Sequence, residues 1–86
     1  MTVSELLNTE SQWGQGMSIR RKGRMCLLEA VYAAYPGDHA YCKVRDLIRN
    51  YLGFGPDSSF QSVVLWNDSP QRTFADVRQV IEALNI

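Results

Sequence analysis

Residues 62–86 read SVVLWNDSPQRTFADVRQVIEALNI and carry the strongest structural pattern in the chain. Thr73 and Asp76 stand three positions apart, which is the spacing of a capping box, where each side chain satisfies the other residue's backbone N–H. Behind this cap, apolar residues recur at the i, i+3, i+4, i+7 spacing of one helical face. They are Val77, Val80, Ile81 and Leu84. The stretch therefore predicts an amphipathic helix over residues 74–84 whose apolar face covers a core.

The residues just before this helix fit two structures. Residues 63–66 are all apolar, and a run this short suits either a buried strand or the last turns of a helix. Residues 67–70, NDSP, are typical of a turn, because Asn and Asp side chains bond nearby backbone groups and Pro stops an incoming helix. The sequence leaves open whether residues 60–66 form a strand or a helix.

Three more helices are predicted upstream from capping residues and from apolar side chains at helical spacing. Thr2 and Glu5 repeat the capping-box spacing, and Gly53 is a natural left-handed stop for the third helix. The buried stripe predicted for that third helix consists of Val44, Leu47, Ile48, Tyr51 and Leu52. Together with the closing helix, the predicted helices lie near residues 3–8, 25–35, 43–52 and 74–84.

Length and composition limit the chain to one domain. Its 86 residues are enough for a single core. A composition of 45% apolar and 21% charged residues is typical of a globular protein. We therefore predict a mainly α fold, a compact four-helix single domain spanning residues 1–86. A minor β element of two or three strands, drawn from residues 17–25 and 60–66, is left open as an addition to this fold.

Charge and cysteine content restrict the compartment and the partners. Nine basic and nine acidic residues give no net charge, which argues against a nucleic-acid or membrane-surface binder driven by overall charge. No stretch is long enough to span a membrane, and the N-terminus lacks a signal pattern, so we expect a cytoplasmic protein. Two cysteines, Cys26 and Cys42, are too few for a disulfide framework, and their spacing does not match a metal site. We therefore predict that both are free thiols. The oligomeric state is not indicated.

A basic segment is the largest local departure from this charge balance. Four of the nine positive charges fall within residues 20–24, where Gly23 suggests a turn. They are Arg20, Arg21, Lys22 and Arg24. Such a segment is either a solvated loop or a contact site for phosphates or an acidic protein surface. These four residues are therefore candidate binding residues.

Two tryptophan-containing stretches complete the candidate binding residues. Trp13 is followed by Gly-Gln-Gly, which permits close packing around the ring or a backbone cradle for a phosphate, although the GxGxxG and GK[ST] patterns are missing. Asp68 and Arg72 could line a pocket beside Trp66. The simpler interpretation is that Asp68 makes an Asx-turn and pairs with Arg72, which would fix the start of the last helix.

Signals for catalysis and for cofactors are few. His39 and Cys42 are three residues apart, and a Cys-His nucleophile is conceivable at that spacing. No obvious third group would orient the pair, and one His with two distant Cys gives no known set of metal ligands. We therefore assign no catalytic residue, no metal site and no cofactor.

Three motifs resemble a known family. They are W-x-Q-G from Trp13, G-x-x-C-L from Gly23, and W-N-D-x-x-x-R-T from Trp66. They are similar to a domain of unknown function found in small uncharacterised bacterial and phage proteins, and the resemblance covers residues 13–84. It implies a shared fold and no established activity. Such proteins often carry acidic residues where this chain has its basic segment, which puts a shared role of that segment in doubt.

The function expected from these observations is that of a non-enzymatic protein-interaction module with an unidentified protein partner. The alternative is a nucleic-acid or nucleotide binder that uses residues 20–24, and a Cys-dependent enzyme has less support. A small domain without catalytic residues also fits a phage or mobile-element inhibitor of a host defence system, of the anti-CRISPR kind. That last expectation comes from size alone.

Overall fold

The computed structural model describes residues 1–16, 23–55 and 61–86, and these residues are mainly helical, as predicted. They form five α-helices and one short 3-10 helix between α1 and α2. The elements are α1 (Val3–Leu6), the 3-10 helix (Glu10–Gln12), α2 (Leu27–Ala34), α3 (Asp38–Tyr51), α4 (Gln61–Asp68) and α5 (Phe74–Leu84). The choice left open for residues 60–66 is settled as helix from residue 61 onward.

The minor β element is reduced to a single contact in the described part of the chain. Trp13 and Met25 form an isolated parallel bridge. The N–H of Met25 donates to the carbonyl of Gln12 at 2.8 Å, and the N–H of Gly14 donates to the carbonyl of Met25 at 3.1 Å. Residues 17–22 and 56–60 lie outside the described residues, and with them residues 17–22 and 60 of the predicted strand material and part of the basic segment.

Capping boxes explain where the helices begin. Thr73 Oγ1 accepts from the N–H of Asp76 at 3.2 Å, and the carboxylate of Asp76 accepts from the N–H of Thr73 at 3.1 Å, as predicted. A cap that sequence analysis did not predict begins α2. There Cys26 Sγ accepts from the N–H of Glu29 at 3.4 Å, and Glu29 Oε1 accepts from the N–H of Cys26 at 3.2 Å. For that reason α2 begins at Leu27, two residues later than predicted.

The second correction concerns α3, which begins at Asp38 and not near residue 43. Gly37 has a φ of 101°, a conformation that costs little only for glycine, and it reverses the chain directly before the helix. Asp38 then adds negative charge in the first turn, where the helix dipole favours it. The helix is therefore 14 residues long and presents more surface than the ten-residue helix expected from residues 43–52.

All five helices contribute buried apolar side chains to one core. α2 packs on α1, α3 and α4, while α5 packs on α1 and α3. The fully buried apolar residues include Val3, Leu7, Leu27, Ala30, Val31, Ile48, Val63 and Val77. None of the described helices is long and apolar enough to cross a membrane.

The predicted buried stripe of α3 is wrong at two positions. Val44 and Ile48 are buried, but Leu47 and Tyr51 are each 43% exposed. The core covers a limited arc of α3, centred on Val44 and Ile48, and positions on either side of that arc lie at its margin. An apolar margin of α3 is therefore left at the surface.

Candidate functional site

Asn67 lies at the centre of the most connected polar cluster in the described structure. Its side chain is fully buried at the end of α4. Oδ1 accepts from Trp13 Nε1 at 2.7 Å and from the N–H of Leu27 at 3.1 Å. Nδ2 donates to the carbonyl of Gly14 at 3.1 Å and to Asp68 Oδ1 at 3.0 Å. The amide thus donates two hydrogen bonds and accepts two, which is its full capacity. These bonds join three separate parts of the chain.

The loop that follows Trp13 is bound to the same end of α4. Gln15 Nε2 donates to the carbonyls of Asn67 and Ser69 at 2.8 and 2.7 Å, which satisfies acceptors that a helix end leaves open. The N–H of Gly16 donates to Asp68 Oδ1 at 3.1 Å. Since the N–H of Gly14 is also bonded, to Met25, the phosphate-cradle interpretation is wrong for both glycines. Their backbone groups hold the fold together.

Arg72 has a different partner from the one predicted. Its guanidinium lies 4.1 Å from the ring centroid of Trp66, and its Nε donates to the carbonyl of Trp66 at 2.8 Å. Its nearest carboxylate is that of Asp76, at 3.8 Å, because residues four apart are neighbours at the start of α5. Asp68 binds Gly16 and Asn67 instead, so the predicted Asp68–Arg72 pair is wrong.

The structure brings four of the predicted site residues together at one end of the molecule, where they hold secondary-structure elements in place. They are Trp13, Trp66, Asp68 and Arg72. Trp13 is only 7% exposed. Arg24 is exposed and donates to the carbonyl of Trp13 at 3.2 Å, whereas Arg20, Arg21 and Lys22 lie outside the described residues.

A hollow of about 460 Å³ lies beside this end of the molecule, and we call it the polar hollow. Its described lining consists of Glu10, Ser11, Trp13, Gly14, Gln15 and Arg24. It carries one carboxylate and one guanidinium. The described part therefore presents neither sign of charge in excess, although Arg24 connects it to the basic segment.

Most of the basic side chains in the described residues are bound within the fold. Five arginines have intramolecular partners, namely Arg24 (Trp13), Arg45 and Arg49 (Asp46), Arg72 (Trp66) and Arg78 (Ser4, Leu7 and Glu82). Lys43 differs, since it is exposed and has no hydrogen-bond or ion-pair partner in the described structure. The described surface thus offers a single uncommitted lysine and no group of uncommitted arginines.

Both cysteines are free thiols, as predicted, and they lie in different environments. Burial raises the pKa of Cys26 to about 11, so its sulfur is a protonated thiol at neutral pH and a poor nucleophile. Cys42 is half-buried on α3 and follows the exposed His39 by three residues. No group of three or more His, Cys, Asp or Glu side chains among the described residues could hold a metal ion.

A second hollow lies among α2, α3 and α4, and we call it the aromatic hollow. Its volume is about 420 Å³, and its described lining consists of Met25, Cys26, Leu28, Glu29, Tyr32, Tyr41 and Val64. The rings of Tyr32 and Tyr41 meet edge to face, with centroids 5.5 Å apart. Tyr32 is 58% exposed. Burial raises the pKa of Tyr41, so its hydroxyl keeps its proton at neutral pH.

A third surface, the α3–α5 groove, lies on the other flank of α3. Its volume is about 360 Å³, and its described lining consists of Tyr35, Ala40, Lys43, Val44, Leu47, Leu84, Asn85 and Ile86. Leu47 contributes its exposed side chain, and Tyr51, one turn further along α3, is exposed to the same degree. Sequence analysis missed both apolar surfaces because periodicity assigned Leu47 and Tyr51 to the core and attached no role to Tyr32.

Comparison with known proteins places the chain in a family without placing it in a functional class. No curated protein and no solved structure matched the sequence. A family of unknown function matches residues 2–84, nearly the full length of the chain, which confirms the expected resemblance to a domain of unknown function. The hydrogen bonds of Trp13, Asn67 and Asp68 give the motif residues a role in holding this fold together. The chain belongs to the family of unknown function DUF6197.

Proposed function

We propose that this protein is a non-enzymatic interaction module that docks a protein partner against α3. The observation that carries the proposal is that apolar surface is left open on both flanks of α3, in the aromatic hollow and in the α3–α5 groove. Protein interfaces concentrate Tyr and Met in their cores and exclude most charged residues from them. The described lining of the two surfaces matches that composition.

The exposed side chains on these surfaces are of the kind that anchors interfaces. Tyr32, Leu47 and Tyr51 are large, and each keeps much of its surface in water. Burying such a side chain in a partner contributes about 1.5–3 kcal/mol, and a few buried aromatic residues commonly provide most of the affinity of an interface. Tyrosine suits this role because its ring is apolar and its hydroxyl can bond a polar group at the rim.

The polar residues that first suggested a binding pocket also favour this proposal, because they are engaged inside the fold. Asn67 makes four hydrogen bonds, and Arg72 is held by Trp66 and Asp76. Cys26 is a buried thiol that caps α2. These groups support the architecture, which leaves the apolar flanks of α3 as the surface best suited to recognition.

Crosslinking of the purified protein to its partner tests the proposal. Tyr32→Ser and Leu47→Ser each remove an exposed apolar side chain, and Gln79→Ser on the exposed side of α5 is the matched control. We expect a crosslinked partner with wild type and with the control, and loss of crosslinking with at least one of the two test variants. Circular dichroism would check that all three stay folded. A partner retained equally by both test variants would contradict the proposal.

The alternative function is nucleic-acid or nucleotide binding through residues 20–24. The observation that favours it is the exposed Arg24 at the polar hollow, next to three further basic residues in sequence. Reversal of Arg20, Arg21 and Arg24 to Glu should then abolish binding. Binding through three or four phosphates should also weaken by roughly one to two orders of magnitude over a fourfold rise in salt. A protein interface with apolar anchors should respond far less.

We further propose a biological setting for the interaction module. The chain would be an inhibitor, of the anti-CRISPR kind, that a phage or mobile element uses in the cytoplasm against a host defence system. Its support is the small size of a single domain and two free cysteines, which suit a reducing compartment. Expression of the chain in cells that carry an active defence system should raise phage plating efficiency, and Tyr32→Ser or Leu47→Ser should reverse that gain.

A further inference from the structure

We propose that the α3–α5 groove binds an acidic amphipathic helix of the partner, with apolar side chains in the groove and a carboxylate on Lys43. This inference rests on the proposed function and names the chemistry of the partner. It comes from three features of the groove, which are its apolar floor, its exposed apolar edge and its uncommitted positive charge.

The floor of the groove is apolar and well supported. Leu84 at the end of α5, Ile86 two residues after it and Val44 on α3 provide this floor. The hydroxyl of Tyr35 donates to the carbonyl of Ile86 at 3.1 Å, and the N–H of Val3 donates to the same carbonyl at 2.8 Å. These bonds hold Ile86 against α2 and α1, so the groove is present before a ligand arrives. A preformed surface lowers the ordering cost of binding.

The edge of the groove has the spacing that a helix would match. Leu47 and Tyr51 are one turn apart on α3, and both are exposed. Side chains four apart on a helix lie side by side, so together they extend the apolar surface along the axis of α3. An amphipathic helix laid in such a groove places apolar side chains at its own i, i+3, i+4 and i+7 positions against it.

The charge of the groove selects an acidic partner. Lys43 carries the charged side chain of the described lining, and it has no ion-pair partner in the described structure. On α3 and α5, Asp46 is bound by Arg45 and Arg49 and Glu82 by Arg78, while Asp38 in the first turn of α3 forms no ion pair with Lys43. A carboxylate from the partner would complement Lys43. Charges at a rim act mainly on encounter rate and specificity, while the apolar contacts supply affinity.

The other two surfaces suit an acidic helix less well. The charged residue in the described lining of the aromatic hollow is Glu29, so that lining offers no positive charge to an acidic helix. The polar hollow has few apolar side chains and carries both signs of charge, Glu10 and Arg24. The α3–α5 groove alone among the three combines an apolar lining with a positive charge.

The test uses the full chain and two synthetic helical peptides. Both peptides carry leucines at i, i+4 and i+7, and they differ only in that glutamates flank the leucines in one and lysines in the other. Titration of the isotope-labelled protein would be followed by amide NMR shifts, and affinity by fluorescence anisotropy. We expect the acidic peptide to shift amides in residues 40–47 and 84–86 and to bind more tightly than the basic peptide.

Charge reversal makes the test specific. Lys43→Glu should weaken binding of the acidic peptide by about tenfold and strengthen binding of the basic one, because attraction becomes repulsion. Gln79→Glu, an exposed position outside the described lining of the groove, should change neither affinity. Amide spectra of both variants would confirm the fold. Equal affinity for the two peptides, no binding, or shifts that map outside the groove would overturn the inference.

Failure of this inference and failure of the proposed function have different signatures. If neither peptide binds but the partner crosslinks in a manner lost with Tyr32→Ser, the inference is wrong and the docking function stands with the aromatic hollow as its site. If both Tyr32→Ser and Leu47→Ser leave crosslinking unchanged, both are wrong.

Discussion

Asn67 shows at the scale of one residue why an amide is needed where chain segments meet. Its oxygen receives two donors and its nitrogen serves two acceptors. An aspartate of the same shape would keep the accepted bonds, but its second oxygen would face the carbonyl of Gly14 and the carboxylate of Asp68. A leucine would leave the indole N–H of Trp13 unpaired in the interior, which is costly for a buried polar group.

Asn67→Asp is expected to destabilise the protein by about 2–4 kcal/mol at neutral pH, since it buries a charge against two acceptors. Burial beside another carboxylate raises the pKa of the introduced Asp in the folded state above its unfolded value. The introduced Asp is then protonated at low pH and destabilises the variant less. The difference in unfolding free energy between the variant and wild type should therefore narrow as pH falls towards about 4. Denaturant unfolding at several pH values checks this, with Gln79→Glu as the control. A gap that does not change with pH would contradict the charge argument.

Cys26 provides a second prediction at this scale. Its pKa is raised from 9.0 to about 11 by burial, so the neutral thiol is favoured in the folded state. The contribution of the neutral Cys26 thiol to the free energy of unfolding is fully present below pH 9 and is lost as pH rises from 9 to 11. Above that range the loss is on the order of 2–3 kcal/mol.

Comparison with Cys26→Ser isolates this loss, because serine keeps an N-cap acceptor and does not titrate there. Denaturant midpoints measured from pH 8 to 11 should fall more steeply for wild type than for the variant. Parallel curves would refute a stabilising role of the buried thiol. Alkylation at pH 8 should modify Cys42 well before Cys26.

At the scale of elements, α3 is the helix that contributes both to the core and to the exposed apolar surface. One face carries Val44 and Ile48 into the core, and one margin carries Leu47 and Tyr51 to the surface. The early start at Asp38 lengthens α3 so that it borders both the aromatic hollow and the α3–α5 groove. A helix that began near residue 43 would have lacked Ala40 and Tyr41, which line these two surfaces.

Two adjacent residues of α3 test this division. Ile48→Ala should cost about 2–4 kcal/mol, because it leaves a cavity in the core. Leu47→Ala should cost less than about 1 kcal/mol, since its side chain is already exposed to water over much of its surface. Denaturant unfolding of both variants measures these losses of stability. Similar losses of unfolding free energy at both positions would mean that Leu47 belongs to the core and not to the exposed margin.

At the scale of the whole molecule, one core and one polar cluster connect all parts of the described chain. Buried side chains from five helices meet in the core, and Asn67 joins α4 to the first loop and to α2. A domain of 86 residues with a single core should unfold in one cooperative step.

Tryptophan fluorescence and far-ultraviolet circular dichroism should therefore give the same denaturation midpoint. Trp13 reports on the polar cluster and Trp66 on the start of the last helix, while the dichroism follows all helices. Transitions that separate would show that the Asn67 end of the molecule unfolds independently of the rest.

The sequence by itself determined the helical class, the closing helix and the family, because these depend on short-range patterns. The Thr73–Asp76 cap spans four residues, and the apolar stripe from Val77 to Leu84 repeats within one helix. The same short-range patterns did not distinguish strand from helix near Val63. They also did not predict that the thiol of Cys26 would cap α2.

Only the tertiary structure decided what the motif residues do and which apolar side chains remain outside. Asn67 meets Trp13 across 54 positions and Leu27 across 40, and no local spacing predicts which segments will meet at such separations. The same holds for Leu47. Its helical spacing suits a core, yet it lies at the edge of the arc that the packed helices cover, and that edge is where we propose that a partner docks.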